Sequence, residues 1–170
     1  NLLILFEFGL IQKGKSIYEN YCYNRELIDK VKANKIDYII AGHTHADHIA
    51  LIPALYAKGC EAKILVPKGS YDIMKEMWLD CAYINQRDCD VLTTRREKVF
   101  HPFYTNEDVD ATLRNVVEVE MNNKYSVTEN FHLRFTPAGH ILFSAQTELF
   151  FTKSNHTKKV LFTSDLGNLN

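Results

Sequence analysis

The densest group of ligand-type side chains in the chain is Gly42-His43-Thr44-His45-Ala46-Asp47-His48. Imidazole nitrogen and carboxylate oxygen suit Zn²⁺ and its borderline-soft neighbours. On an extended segment His43 and His45 point to the same side, because side chains repeat every two residues. Asp47 and His48, in the first turn of a helix, would point elsewhere, so one heptapeptide can serve two metal positions. A solvated polar turn is the bland alternative. It is disfavoured because apolar segments on both sides bury the base of the loop, where unpaired His and Asp are costly.

Two further groups have a comparable placement. His140 closes the run Leu133 to Gly139, with Gly139 allowing close backbone approach. Asp165 follows Val160 to Ser164 and precedes Leu166-Gly167. Each alone is unremarkable: a hydrogen-bonded His, a turn-forming Asp. Their value is joint. If both strands run beside the one leading to His43, three strand ends deliver ligands to one edge of a sheet. The remaining candidates read as bland. His101, His132 and His156 are solvated, Arg95-Arg96 with Lys98 is a short surface charge run, and Met74, Met77 and Trp78 form a core stripe.

The elements that must position these groups follow from pattern. The spacing predicts strands over 2–8, 36–41, 62–66, 116–121, 131–136, 141–151 and 159–164, and helices over 25–33, 47–58, 69–86 and 106–114. Thr105 with Asp108 resembles a capping box. Lys153 to Thr157 is a polar turn, so a hairpin is expected there, and Arg87 to Lys98 reads as a surface connection. Strands and helices alternate early and strands dominate later, which predicts a layered α/β (α+β) fold rather than a bundle.

Composition sets the bounds. The chain has 170 residues, 20 Lys+Arg against 21 Asp+Glu, 46% hydrophobic and 24% charged residues. That is one domain with a real core; it excludes disorder and the basic excess of a domain that grips nucleic acid by charge alone. Cys22, Cys60, Cys81 and Cys89 contain no CxxC pair. There is no basic leader and no apolar run near the ~20 residues of a membrane span. A cytoplasmic protein with reduced thiols and no membrane association is the expectation. Strand-like runs close to both ends predict a piece of a longer polypeptide.

HTHADH with a later AGH and a later SDLG resembles the metallo-β-lactamase fold. More narrowly it is similar to the RNA-processing β-CASP nucleases. The narrower likeness rests on Phe8-Gly9-Leu10-Ile11-Gln12, Leu79-Asp80-Cys81-Ala82-Tyr83-Ile84, Pro137 to Ala145, and Thr163-Ser164-Asp165-Leu166-Gly167. The resemblance implies an αββα sandwich, incomplete at its C-terminal side. Residues 1–170 would be the N-terminal part of the hydrolase domain, with the β-CASP cap absent from this chain.

It further implies two Zn²⁺ ions, with Mn²⁺ as the alternative. His43, His45 and His140 would bind the first, Asp47 and His48 the second, and Asp165 both; Asp47 and Asp165 would be the catalytic carboxylates. In such sites the shared water is acidified toward hydroxide. The implied reaction is phosphodiester hydrolysis in RNA, with DNA as the alternative substrate. The cap would supply a further His to the second metal. Glu7 stands where the family usually has Asp, and its carboxylate would orient a metal-binding His; Tyr83 stands where many relatives have His. Two rival readings are an ester, thioester or lactone hydrolase of the same fold and a non-catalytic scaffold. Strand edges left uncovered would favour a homo-oligomer.

Overall fold

The computed structural model describes residues 2–154 and 156–168. Along the chain lie β1 (Ile4–Phe6), α1 (Ile17–Lys30), β2 (Tyr38–Ile40), α2 (Ala46–Ile49), α3 (Ile52–Tyr56), β3 (Lys63–Pro67) and α4 (Ser70–Arg96). They are followed by α5 (Asn106–Leu113), β4 (Val116–Val119), β5 (Tyr125–Thr128), β6 (Phe131–Pro137), β7 (Ala145–Lys153) and β8 (His156–Phe162). β1 to β4 form a parallel sheet in that order, and β5 to β8 an antiparallel one.

Alternation along the central parallel strands separates two cores. Ile39, Ile64 and Val66 meet Ile28, Ile49, Leu55, Trp78 and Val109, so all five helices share one cluster. Their neighbours Ile40 and Leu65 face the other way, onto Phe131, Leu133, Phe135 and Leu149 of the antiparallel sheet, and among the described residues no helical residue enters that cluster. The result is three layers: helices, parallel sheet, antiparallel sheet. The expected layered α/β (α+β) architecture is present, as three of the four layers of the expected αββα sandwich among the described residues. β8 is an edge strand and leaves Val160 and Leu161 each 50% exposed.

Several elements differ from the sequence expectation, each for a local reason. The helix expected over 47–58 is two short helices. Pro53, at the start of α3, has no N–H to give the Ile49 carbonyl, and the Trp78 indole donates to that carbonyl instead, at 2.9 Å. α4 runs on through the segment expected to be a surface connection, because Cys89 and Leu92 continue its buried stripe; it ends where Glu97 turns left-handed at φ 52°. α1 begins at Ile17, capped by the Ser16 hydroxyl, rather than at residue 25. β1 begins only at Ile4, and Leu2 and Leu3 before it are exposed rather than buried. β5 was hidden in sequence by its exposed Tyr125 and Ser126. The Thr105–Asp108 capping box forms as expected, as does the β7–β8 hairpin, whose Asn155 lies outside the described residues.

One expectation about positioning needs correction. The strands leading toward His43, His140 and Asp165 do not share a sheet: β2 is in the parallel sheet, β6 and β8 in the antiparallel one. Nor do the strands reach these residues. β6 stops at Pro137 and β8 at Phe162, and β7 begins only at Ala145, because Phe143 turns left-handed at φ 59°.

Gly9 is the tightest joint between the loop after β1 and α2. A Cβ there would fall inside the backbone of Asp47 and His48, whereas a Cβ on Gly59, at φ 82°, meets nothing. Gly9→Ala is therefore expected to cost more than about 3 kcal/mol of unfolding free energy, and Gly59→Ala only ~1–2 kcal/mol of left-handed strain. Urea denaturation of the two variants measures the contrast.

Candidate metal centre

Three stitches bring four chain segments to one place. Phe8 N–H donates to the His48 carbonyl at 2.6 Å and Leu10 N–H to the Ala46 carbonyl at 3.0 Å, tying the loop after β1 to α2. Ala145 N–H donates to the Gly42 carbonyl at 2.8 Å, tying β7 to the loop after β2. Gly167 N–H donates to the Ala138 carbonyl at 3.0 Å, tying the segment after β8 to the one after β6. Within the His140 loop, the Ser144 hydroxyl accepts from the N–H groups of His140 and Ile141 at 3.0 and 3.1 Å.

Five of the six residues singled out from the sequence come together here, and the sixth, Asp47, lies at the rim beside its neighbour His48. One ligand atom from each of His43, His45, His140 and Asp165 lies within 4.8 Å of every other. His45 Nδ1 and His140 Nε2 are 3.3 Å apart, the spacing of two donors on a tetrahedral ion with ~2.0 Å bonds. Asp165 Oδ2 is 3.8 Å from His43 Nε2, 3.6 Å from His140 Nε2 and 3.5 Å from His48 Nε2. It therefore stands between the His43–His45–His140 group and His48. Asp47 Oδ2 is 3.7 Å from His48 Nε2 on the outer side, its side chain 66% exposed.

Glu7, His43 and His48 also cluster, but Glu7 is placed as a hydrogen-bond acceptor, not a ligand. Its Oε2 is 2.6 Å from His48 Nδ1, too close for an ion to sit between them. Its Oε1 accepts from the Ser164 hydroxyl at 2.6 Å, and that hydroxyl lies 3.0 Å from His43 Nδ1. The longer carboxylate at this position thus reaches both neighbours. Ser164 is the site residue that sequence reasoning missed; the only signal was a hydroxyl next to Asp165.

The donor set fits a divalent cation on one observation above the others. His43 is 2% exposed and its Nε2 is buried with no hydrogen-bond partner among the described residues. A buried lone pair left bare is costly, and a cation facing it removes the cost. Burial, then the neighbouring His48, push the His43 imidazole down to about 4, against the opposing pull of Glu7. It is held neutral, the form that binds metal.

Relatives are found by sequence and by fold. The chain is 28% identical over 140 residues to an RNase J-like protein of Methanocaldococcus jannaschii, covering 82% of this chain and 28% of the relative. It is 31% identical over 132 residues to the transcription termination factor FttA of Methanosarcina mazei, covering 78% of this chain and 19% of the relative. The chain thus spans 19% to 28% of the length of these curated relatives. A metallo-β-lactamase of Cronobacter sakazakii superposes with a TM-score of 0.50 at 16% identity, over 93% of this chain and 52% of that one, a likeness of fold. No protein-family model matches.

The neutral state of His43 has a consequence for stability. Unfolded, the imidazole takes up its proton near 6.5; folded, near about 4. Between those values the unfolded chain binds more protons, so stability falls as pH drops through this window and is insensitive to this group above it. For the metal-free chain, urea midpoints measured from pH 7.5 to 4 should fall, and His43→Gln should flatten the decline.

Proposed function

This chain has the metallo-β-lactamase fold and is a relative of the β-CASP proteins; from that premise we propose that it is the N-terminal part of a two-zinc ribonuclease that hydrolyses RNA phosphodiester bonds in the cytoplasm. The observation that carries the reading is the position of one carboxylate. Asp165 Oδ2 lies within 3.5–3.8 Å of imidazoles from both groups, which is where a ligand shared by two ions would be.

His43, His45 and His140 would hold one zinc, Asp47 and His48 the other, and Asp165 both. Zinc bound there would supply Lewis acidity to the phosphoryl oxygens and lower the pKa of water. The chain's own residues orient the centre: Glu7 fixes His48, and Ser144 fixes the backbone of His140. Asp47, the most exposed of the six, faces solvent at the rim and would meet the scissile phosphate's surroundings first. RNA is the substrate class favoured by a relative named for ribonuclease J. A net charge of −1 gives these residues no basic excess with which to grip a polyanion, and the proposal assigns that grip to a β-CASP cap.

Elemental analysis of the purified chain should find two zinc ions, and Asp165→Ala should lower the content of both sites at once. In the longer protein, the same substitution should reduce cleavage of labelled RNA by at least ~10²-fold, the scale of losing a principal electrostatic contributor. Equal cleavage by the two proteins would sink the role given to Asp165; a chain that takes up no zinc would favour the scaffold reading.

A further inference from the structure

We infer that Ser164 is a positioning residue: with Glu7 it sets the tautomer of His43 so that an unprotonated Nε2 faces the metal centre. The inference rests on the two-metal reading above for its purpose, though not for its geometry.

The hydrogen-bond directions leave one arrangement. The Glu7 carboxylate can only accept. Ser164 Oγ, 2.6 Å from Glu7 Oε1, donates to it and has lone pairs left for the His43 Nδ1–H at 3.0 Å. The proton of neutral His43 is thereby kept on Nδ1, which leaves Nε2, with no hydrogen-bond partner among the described residues, unprotonated. Glu7 cannot do this unaided, because its Oε1 is 3.8 Å from His43 Nδ1, beyond hydrogen-bond reach. It can for His48, which it contacts at 2.6 Å through the other oxygen. One carboxylate thus orients two imidazoles, one directly and one through a hydroxyl.

Backbone conformation argues that the hydroxyl is retained for this purpose. Ser164 sits at φ 51° and Glu7 at φ 53°, in the left-handed region that glycine occupies at no steric cost. Both ends of the 2.6 Å contact therefore carry strain that a glycine would relieve. On the other side Gly42 is required chiefly by β7: a Cβ there would lie 2.6 Å from the Ala145 carbonyl and 3.2 Å from the Ser164 Cβ. Strained non-glycine residues persist where their side chains are needed, and here the needed atom is one oxygen.

The test separates positioning from packing by reading the metal and the tautomers. Ser164→Gly relieves the backbone but strips Glu7 Oε1 and the His43 Nδ1–H of their shared partner, so its melting temperature combines opposed effects and serves only to confirm folding. The variant's zinc affinity should fall 10- to 100-fold, the usual loss when a partner behind a metal-binding His is removed. Nitrogen-15 spectra of labelled histidines in the metal-free protein at pH 7.5 read the tautomers directly. Wild-type His43 should be protonated on Nδ1 alone, Ser164→Gly and Ser164→Ala should show a mixture, and His48 should be unchanged in both. Wild-type His43 carrying its proton on Nε2, or Ser164→Gly binding zinc as wild type does, overturns the inference. Should the chain bind no zinc at all, the two-metal reading fails, while the tautomer spectra still decide the role of Ser164.

Discussion

A buried imidazole with one ring nitrogen bare is the constraint around which the rest of this structure is arranged. His43 Nδ1 hydrogen-bonds to the Ser164 hydroxyl, and Nε2 faces Asp165 and the rings of His45, His48 and His140, whose centroids lie 5.0, 4.1 and 5.3 Å from that of His43. Packing alone would not select this. An unpaired buried acceptor costs about 1–3 kcal/mol, and apolar side chains would fill the same space without that penalty. Three imidazoles and a carboxylate within 4.8 Å of one another, with a fourth imidazole on the carboxylate's other side, make physical sense when cations complete them.

Convergence requires both sheets. The parallel sheet delivers His43 and, through the turn into α2, His45, Asp47 and His48; the antiparallel sheet delivers His140 and Asp165 beyond the ends of β6 and β8. The sheets are held together beneath the site by Ile40 and Leu65 against Phe135 and Leu149, and by the ring of Phe6 against that of Phe162, 4.6 Å between centroids. A rigid apolar interface thus fixes the separation of polar loops that could not fix it themselves. Part of the cost is local: of the six described non-glycine residues at positive φ, Glu7, Phe143 and Ser164 lie in the loops that build the centre.

Legibility in the sequence followed the range of the interactions. Short-range signals held: the Thr105–Asp108 capping box, the strands around Ile39, Ile64 and Leu133, and the Met74–Trp78 stripe all lie where periodicity puts them. Failures came where a distant partner decided the outcome. The break between α2 and α3 is made tolerable by the Trp78 indole, 29 positions from the carbonyl it caps. The extension of α4 depends on a core that receives Cys89 and Leu92.

The site divides in the same way. Residue type and spacing within Gly42–His48, with His140 and Asp165, were enough to name the six ligand-type side chains, because donor chemistry is a property of the side chain alone. Which of them come within 4 Å of one another, which sheet carries each, and that Asp165 stands between two groups were decided by the packing of one sheet on the other. The same holds for Ser164. A hydroxyl in sequence has no direction; only the fold, by bringing Glu7 and His43 to either side of it across 157 and 121 positions, made it a link between a carboxylate and an imidazole.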